Sequence, residues 1–438
     1  MGISSAGVGS GLDVASLITQ LVQAERTNLT AMETKKETFN SQISAYGQIK
    51  SSLEAFKTAV GNLKLSSDFS VSKATSSNTD LLTATADSTA AAGTYDIKVT
   101  QLAQAGVQAS ASQASAKTAM GASGTFTLTA GDKSFDITLE STDTLENIRD
   151  KINSAVLTGD DETQELATAT IVNTGNGYKL VVASSERGTE NAVSIDSNLS
   201  TALGGFTATQ TAQNSKFTVN GLEIERATNS VDDVIDGVTL NLVKADTTTS
   251  LTLTVGKDTD AITTKVNAFI SAYNSLASTI SDLHKKGGTL EADNTATSVL
   301  YQLQSVFNVP ANIAGSDVNY LAQVGISFKK DGTLALDSTA FTKALKNNGD
   351  AVTALFTDTE KGFAQRLYDS ASDLLGTNGL VASRVSGLNS RISILDTNID
   401  RETVRLDNYE TRLRKQYSAL DSLMGTLKNT SSYLSSAL

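Results

Sequence analysis

Apolar positions along this chain repeat with two different periods, and the change of period divides it into three stretches. Towards the C-terminus Val385, Ile392, Ile399, Leu406, Leu413, Leu420, Leu427 and Leu434 stand seven residues apart, with Leu388, Leu395, Tyr409 and Leu423 in a companion row. Two apolar rows at this repeat are the signature of a helix that buries a seam against other helices. Glu402, Gln416 and Thr430 interrupt the companion row, so the seam is predicted to change partners along its length. A helix of roughly 45 residues would be about 70 Å long.

The first stretch has the same grammar. Leu17, Ile18, Leu21 and Val22 share a face, and Met32, Phe39, Tyr46, Leu53 and Val60 then recur every seven residues beside Ile49, Phe56 and Leu63. Residues 12–64 read as a long helix, bent or broken where Glu25, Asn28 and Lys35 interrupt the stripe. Ser10 and Asp13 have capping-box spacing, with Asp in place of Glu. A further helix is predicted from Ile262, Val266, Phe269, Tyr273, Leu276, Ile280 and Leu283, and a shorter one from Val299, Leu300, Leu303, Val306 and Phe307, ended by Pro310. Together they offer the terminal helices something to bundle against.

Between about residues 70 and 258 the period falls to two and Thr, Ser and Gly dominate, the pattern of sheet. Thr94–Val99, Thr125–Leu128 and Phe135–Leu139 alternate, the last two joined across Ala130-Gly131-Asp132-Lys133. Thr144 can cap a helix carrying Leu145, Ile148 and Ile152, and strands follow at Ala169–Val172 and Tyr178–Val182. A weak second copy of this order is expected: a hairpin at Phe217–Ile224, a short helical turn near Val231–Ile235, then strands from Val238 and Leu251. The fold class is therefore α+β and multidomain, with long terminal helices forming a coiled-coil or helical-bundle stem around inserted β-rich domains. We expect residues 1–40 with 390–438 to form a terminal helical leg, 41–69 with 259–389 a helical bundle, and 70–258 an inserted region of two α+β subdomains.

Composition narrows the function. The 438 residues carry a net charge of −12 and no Lys/Arg stripe, which argues against nucleic acid or an anionic membrane as partner. No apolar run reaches a membrane span, and Met1-Gly2-Ile3-Ser4 lacks the charged and apolar regions of a signal peptide, so neither membrane insertion nor a Sec-type address is expected. Cysteine and tryptophan are absent and histidine occurs once, at His284. Thiol chemistry is thereby excluded, and any histidine-assisted nucleophile would need His284, which sits at a helix end beside Lys285-Lys286.

Three motifs suggest chemistry only superficially. Gly7-Val8-Gly9-Ser10-Gly11 follows no strand and has no Lys in the next turn, so it is a leader rather than a phosphate loop. Asp160-Asp161-Glu162 lacks the alternation, glycine and closing Glu of a calcium loop. Asp232-Asp233 are adjacent on one short turn and would point apart, whereas glycoside hydrolysis needs two carboxyl groups across a cleft. No catalytic residue, metal site or cofactor is expected, and the sequence reads as that of an assembly protein.

Three blocks carry a resemblance. Gly7 to Glu25 (GVGSGLDVASLITQLVQAE), Phe217 to Leu242 (FTVNGLEIERATNSVDDVIDGVTLNL) and Tyr409 to Leu434 (YETRLRKQYSALDSLMGTLKNTSSYL) resemble, in order, the N-terminal, central and C-terminal motifs of the hook-associated protein 2 family of flagellar filament-capping proteins. The resemblance implies a homo-oligomeric cap at the tip of the bacterial flagellum, holding exported flagellin while subunits insert. It also implies contact with flagellin and hook-associated proteins, secretion through the flagellar type III channel, and an export chaperone on the C-terminal helix. The ends would act as mobile legs, with Leu12, Leu17, Leu21, Leu413, Leu420 and Leu427 as the filament or partner contacts. Two other readings stand beside it: a hook–filament junction or filament subunit, which would share helical ends, and an adhesin binding host glycan or mucin through residues 70–258.

Overall fold

The structure, a computed structural model, describes residues 13–158 and 163–437; Leu12, the Gly7–Gly11 leader with Ser10, and the acidic run at 160–162 lie outside the described residues. Nine α-helices lie among the described residues: α1 (Val14–Glu25), α2 (Thr27–Gly61), α3 (Leu145–Ser154), α4 (Ser197–Ala202), α5 (Thr259–His284), α6 (Asn294–Asn308), α7 (Ser338–Thr357), α8 (Phe363–Leu375) and α9 (Leu380–Ala437). The protein separates into two compact units, Met1–Phe69 with Thr259–Leu438, and Ser70–Asp258.

The first unit is helical. On α2 the buried residues Phe39, Tyr46, Ile49, Leu53, Phe56 and Val60 keep steps of seven, three and four, and they meet Ile262, Val266, Phe269, Tyr273, Leu276 and Ile280 of α5 in one core. Aromatic rings centre it, with Phe56 5.9 Å from Phe269 and 6.0 Å from Tyr273 between centroids. The first stretch breaks only at Arg26 and then runs unbroken through Asn28 and Lys35. Those positions face outward, where a helix accepts polar residues at little cost. The cap is also different from the expected box: Asp13 itself caps α1, its Oδ1 accepting the amide of Ser16 at 3.0 Å.

At 58 residues α9 is about 87 Å long. The expected seven-residue seam needs correction here. The positions of α9 that are buried are Val381 and Leu388, then Leu406 and Leu413. Leu388 and Leu406 are eighteen residues apart, as are Leu395 and Leu413, which is five full turns at about 3.6 residues per turn. One face of an ordinary helix thus passes from the companion row to the first row, because seven residues fall about 20° short of two turns.

The second unit holds two β-rich bodies, one nested within the other. In the outer one, a five-stranded antiparallel sheet runs in spatial order Ser72–Ser76, Leu251–Lys257, Gly93–Gln101, Ser215–Val219 and Leu222–Arg226. A three-stranded sheet, Ser230–Ile235, Val238–Leu242 and Leu82–Ala86, packs on it over Ile97, Val99, Phe217, Leu240 and Leu253. The inner body spans the excursion between Gln104 and Gln213, whose backbones bond to each other at 2.9 and 3.2 Å. Its two larger sheets are Phe206–Gln210, Val107–Ser110, Tyr178–Ser184 and Ala167–Asn173, and Val193–Ile195, Gly124–Ala130 and Lys133–Leu139, with α3 packed into their core through Leu145, Ile148 and Ile152.

Two expectations for this region change. The strand at Thr94–Val99 belongs with residues 215–257 and not with the strands that follow it in sequence, so the two bodies are not successive repeats. The helical turn expected at Val231–Ile235 is a strand, hairpinned to Val238–Leu242 through Asp236-Gly237 with Gly237 at φ 69°. Its register shifts between Val231 and Ile235, and this bulge turns the adjacent Asp232 and Asp233 both outward, which mimics a helical pattern in the sequence.

Candidate functional site

The candidate site is the pair formed by the two terminal helices. Capped at Asp13, α1 presents Val14, Ile18 and Val22 at steps of four, and α9 answers with Tyr409, Leu413 and Tyr417 at the same step. Side chains four apart on a helix lie one above another, so two such rows pack along their length. Val14, Ile18 and Leu413 are the buried members.

Charged groups fix the register. Arg405 Nη2 lies 3.0 Å from Glu25 Oε2 and 2.8 Å from Glu402 Oε1. Hydrogen bonds from Arg405 hold the Glu402 carboxyl below its ordinary range, and the two carboxylates in turn hold the guanidinium firmly charged. Glu402, an interruption in the companion row, thus holds on its own helix the arginine that reaches across to α1. Further along, Lys36 of α2 reaches Asp396 at 2.5 Å, and the Arg391 guanidinium stands over the Phe39 ring at 5.9 Å.

The named contact residues fall into distinct environments. Leu413 is 8% exposed and committed to the pair, while Leu17 and Leu21 are 39% and 38% exposed on the flank of α1. Leu420 and Leu427 are 45% and 56% exposed and lie beyond Tyr417, the last residue of α9 in the shared cluster, together with exposed Leu423, Met424, Tyr433 and Leu434. Leu12 lies outside the described residues. The structure therefore joins Leu413 to Val14, which was not picked out from sequence, and to Ile18, which was placed on the apolar face of α1 but not among the contacts. The signal that could have found them is the four-residue step that begins directly behind Asp13.

The pair is held lightly. Three buried aliphatic side chains contribute about 1.5–3 kcal/mol each.

Elsewhere in the helical unit, a groove of about 790 Å³ runs between α2 and α9, lined by Ile43, Tyr46, Gly47, Val381, Val385 and Asn389 among others. Burial pushes the Tyr46 phenol in its floor up to about 12. No cluster of three or more metal-ligating side chains occurs among the described residues, and none of their helices is long and apolar enough to cross a membrane. His284 is the last residue of α5. Asp233 takes two hydrogen bonds of 3.0 Å from Arg226 Nε, which holds its carboxyl below the usual range, and so serves to tie two sheet edges together.

With this geometry in place, comparison with known proteins is informative. Residues 10–106 match the family described as flagellar hook-associated protein 2 N-terminus, and residues 212–429 match flagellar hook-associated protein 2 C-terminus. The sequence is 33% identical to flagellar hook-associated protein 2 of Escherichia coli strain K12, covering 99% of this chain and 97% of that protein. It is 32% identical to the A-type flagellar hook-associated protein 2 of Pseudomonas aeruginosa, over 99% of this chain and 96% of that one. In structure it is similar to the D1-D2-D3 domains of the flagellar cap protein FliD from Escherichia coli, with a TM-score of 0.63 and 34% identity, covering 79% of this chain and 99% of that one.

Proposed function

The chain belongs to the flagellar hook-associated protein 2 family, and from that premise we propose how its parts divide the work of capping a bacterial flagellar filament. The protein is a structural cap, secreted to the distal end of the filament, where it promotes insertion of exported flagellin and prevents its loss. It works as an oligomer in contact with flagellin. In our reading the leg comprises residues 1–40 with 390–438, the bundle 41–69 with 259–389, and the plate 70–258.

One observation carries this division. A single row of α9 passes from buried Leu406 and Leu413 to bare Leu420, Leu427 and Leu434. A row that satisfies itself at one end and stays apolar at the other requires a partner there. We assign Leu420 and Leu427, with Leu12, Leu17 and Leu21, to filament or neighbouring subunits, and Leu413 to keeping α1 on α9 until the leg engages. Before export the same bare stripe is the place for a chaperone. Catalysis has no part in this reading.

The test is a strain whose only cap gene encodes Leu420→Ser with Leu427→Ser. Short filaments and flagellin released into the medium support the assignment; filaments of normal length without leakage defeat it. Adhesion to host glycan or mucin through residues 70–258 is the weaker proposal. That unit carries 23 acidic against 12 basic residues, a net −11 of the protein's −12, and such a surface repels sialylated or sulfated mucin.

A further inference from the structure

Four Asn-Gly pairs occur in the sequence, at Asn176-Gly177, Asn220-Gly221, Asn348-Gly349 and Asn378-Gly379. In such a pair the glycine nitrogen, unshielded by a β-carbon, can attack Cγ of the Asn carboxamide. A new bond forms between that nitrogen and Cγ, the bond from Cγ to Nδ2 breaks, and ammonia leaves with the proton from the glycine amide. Water then opens the five-membered imide at either carbonyl, yielding aspartate or isoaspartate. A folded backbone decides which pair can bend into the reaction.

Three of the four are held. Asn220 Oδ1 accepts the Asp96 amide at 2.9 Å while its own amide donates to Asp96 at 2.7 Å. At Asn378 the nucleophile itself is committed, since the Gly379 amide donates to the Gly376 carbonyl at 2.8 Å. Around Asn176 the peptide is fixed on both sides: Ser112 Oγ donates to the Asn176 carbonyl at 3.0 Å, and the Thr174 amide and hydroxyl both donate to the Gly177 carbonyl at 2.9 and 3.0 Å.

Asn348 is different. It is exposed and lies inside α7 at φ −138° and ψ 45°, outside the helical region, where two helical runs meet. Gly349 follows the break, its carbonyl accepting the Thr353 hydroxyl at 2.7 Å on the far side, so this peptide is held on one side only. Among the described residues no hydrogen bond ties down the Asn348 carboxamide.

We propose that Asn348 is a site of spontaneous deamidation and isoaspartate formation in the folded protein. The fold tolerates the product. Phe341 and Leu345 anchor α7 before the kink, and Val352, Leu355 and Phe356 after it, all buried. The extra backbone carbon of isoaspartate falls where the ladder is already broken, and the new carboxylate stands at the head of a helical run, the end that favours negative charge.

The experiment ages the full-length protein in mildly alkaline buffer, folded and in denaturant, and follows each Asn-Gly peptide by mass spectrometry with isoaspartyl methyltransferase labelling. In the folded protein Asn348 should convert roughly tenfold faster than each of the other three, a barrier difference of about 1.4 kcal/mol. In denaturant the four should convert at similar rates. Gly349→Ala, which keeps α7 helical by circular dichroism, should suppress conversion at Asn348. Equal or slower conversion of Asn348 in the folded protein, or unchanged conversion in G349A, would overturn the proposal.

Discussion

Arg384 of α9 and Asp293 at the N-cap of α6 share a single carboxylate oxygen: Arg384 Nη2 lies 2.8 Å and Nε 3.0 Å from Asp293 Oδ2. The other oxygen, Oδ1, accepts the Thr295 amide at 3.0 Å and so caps α6. One residue therefore both starts a helix and ties the root of the long C-terminal helix to the core. Burial opposes ionisation of Asp293, but the hydrogen bonds from Arg384 and Thr295 and the Arg384 charge outweigh it and hold the carboxyl below its ordinary value of 3.8.

Replacing Asp293 by Ala should cost about 2–4 kcal/mol, less than a fully buried pair because Arg384 retains some access to water. The pH dependence follows from the sign of the shift. A carboxyl with a depressed folded value stabilises fully above its unfolded value and loses that contribution as pH falls through the folded one. Urea midpoints of the native protein and Asp293→Asn should therefore differ most near neutrality, and the difference should shrink as pH falls below 3.8. A difference that grew towards acid would contradict the pairing.

Asn153 of α3 acts as an extra strand for the edge of its sheet. Its amide nitrogen donates to the Ala169 carbonyl at 2.9 Å, and its Oδ1 accepts the Ala169 amide at 2.6 Å. Asn229 does the same for Ala103, and Asn274 for Leu334. Substitution by Asp keeps the acceptor but sets a carboxylate against a carbonyl, so each of the three variants should lose about 1–3 kcal/mol. Thermal or chemical unfolding of Asn153→Asp checks this; a loss below about 0.5 kcal/mol, typical of surface changes, would show that the two-point contact does little.

Glycines at positive φ separate conformational strain from steric conflict. Gly221, at φ 82°, has open space where a β-carbon would go, whereas Gly237, at φ 69°, would place one 2.5 Å from the Ala90 backbone nitrogen. Gly221→Ala should thus cost about 1–2 kcal/mol from the left-handed backbone alone. Gly237→Ala should cost more, about 2–4 kcal/mol, because backbone must move as well. Equal melting temperatures for the two variants would refute the distinction.

The helices of the first unit could be read from sequence because their apolar residues recur within one helix, a local property. Tyr46, Ile49, Leu53 and Phe56 announce both the element and the face it buries. Nesting of the β-rich bodies could not be read, since Gly93–Gln101 pairs with strands more than a hundred residues away and alternation carries no address for a partner. Asp232-Asp233 misled for a different reason: a bulge turns two neighbours outward, and period alone cannot distinguish that from a helical turn. At the terminal pair the leucine row was visible in full. Its division into buried and bare halves was not, because it depends on how far α1 reaches along α9.

That division yields the sharpest functional contrast. Leu413→Ala removes an aliphatic group from the small cluster with Val14 and Ile18, and should cost about 2–3 kcal/mol locally. Being so lightly held, α1 should then exchange its amides much faster, while α2 and α5, packed in the main core, stay protected. Leu427→Ala removes an exposed group and should leave exchange and melting unchanged to within about 0.5 kcal/mol. In cells the order should reverse. L427A, intact as an isolated protein, should release more flagellin and build shorter filaments than its unchanged stability would suggest, because what it lacks is the surface kept bare for a partner. A Leu427→Ala strain that assembles filaments normally, while Leu413→Ala alone is defective, would place the function in the closed part of the row and end the case for the open one.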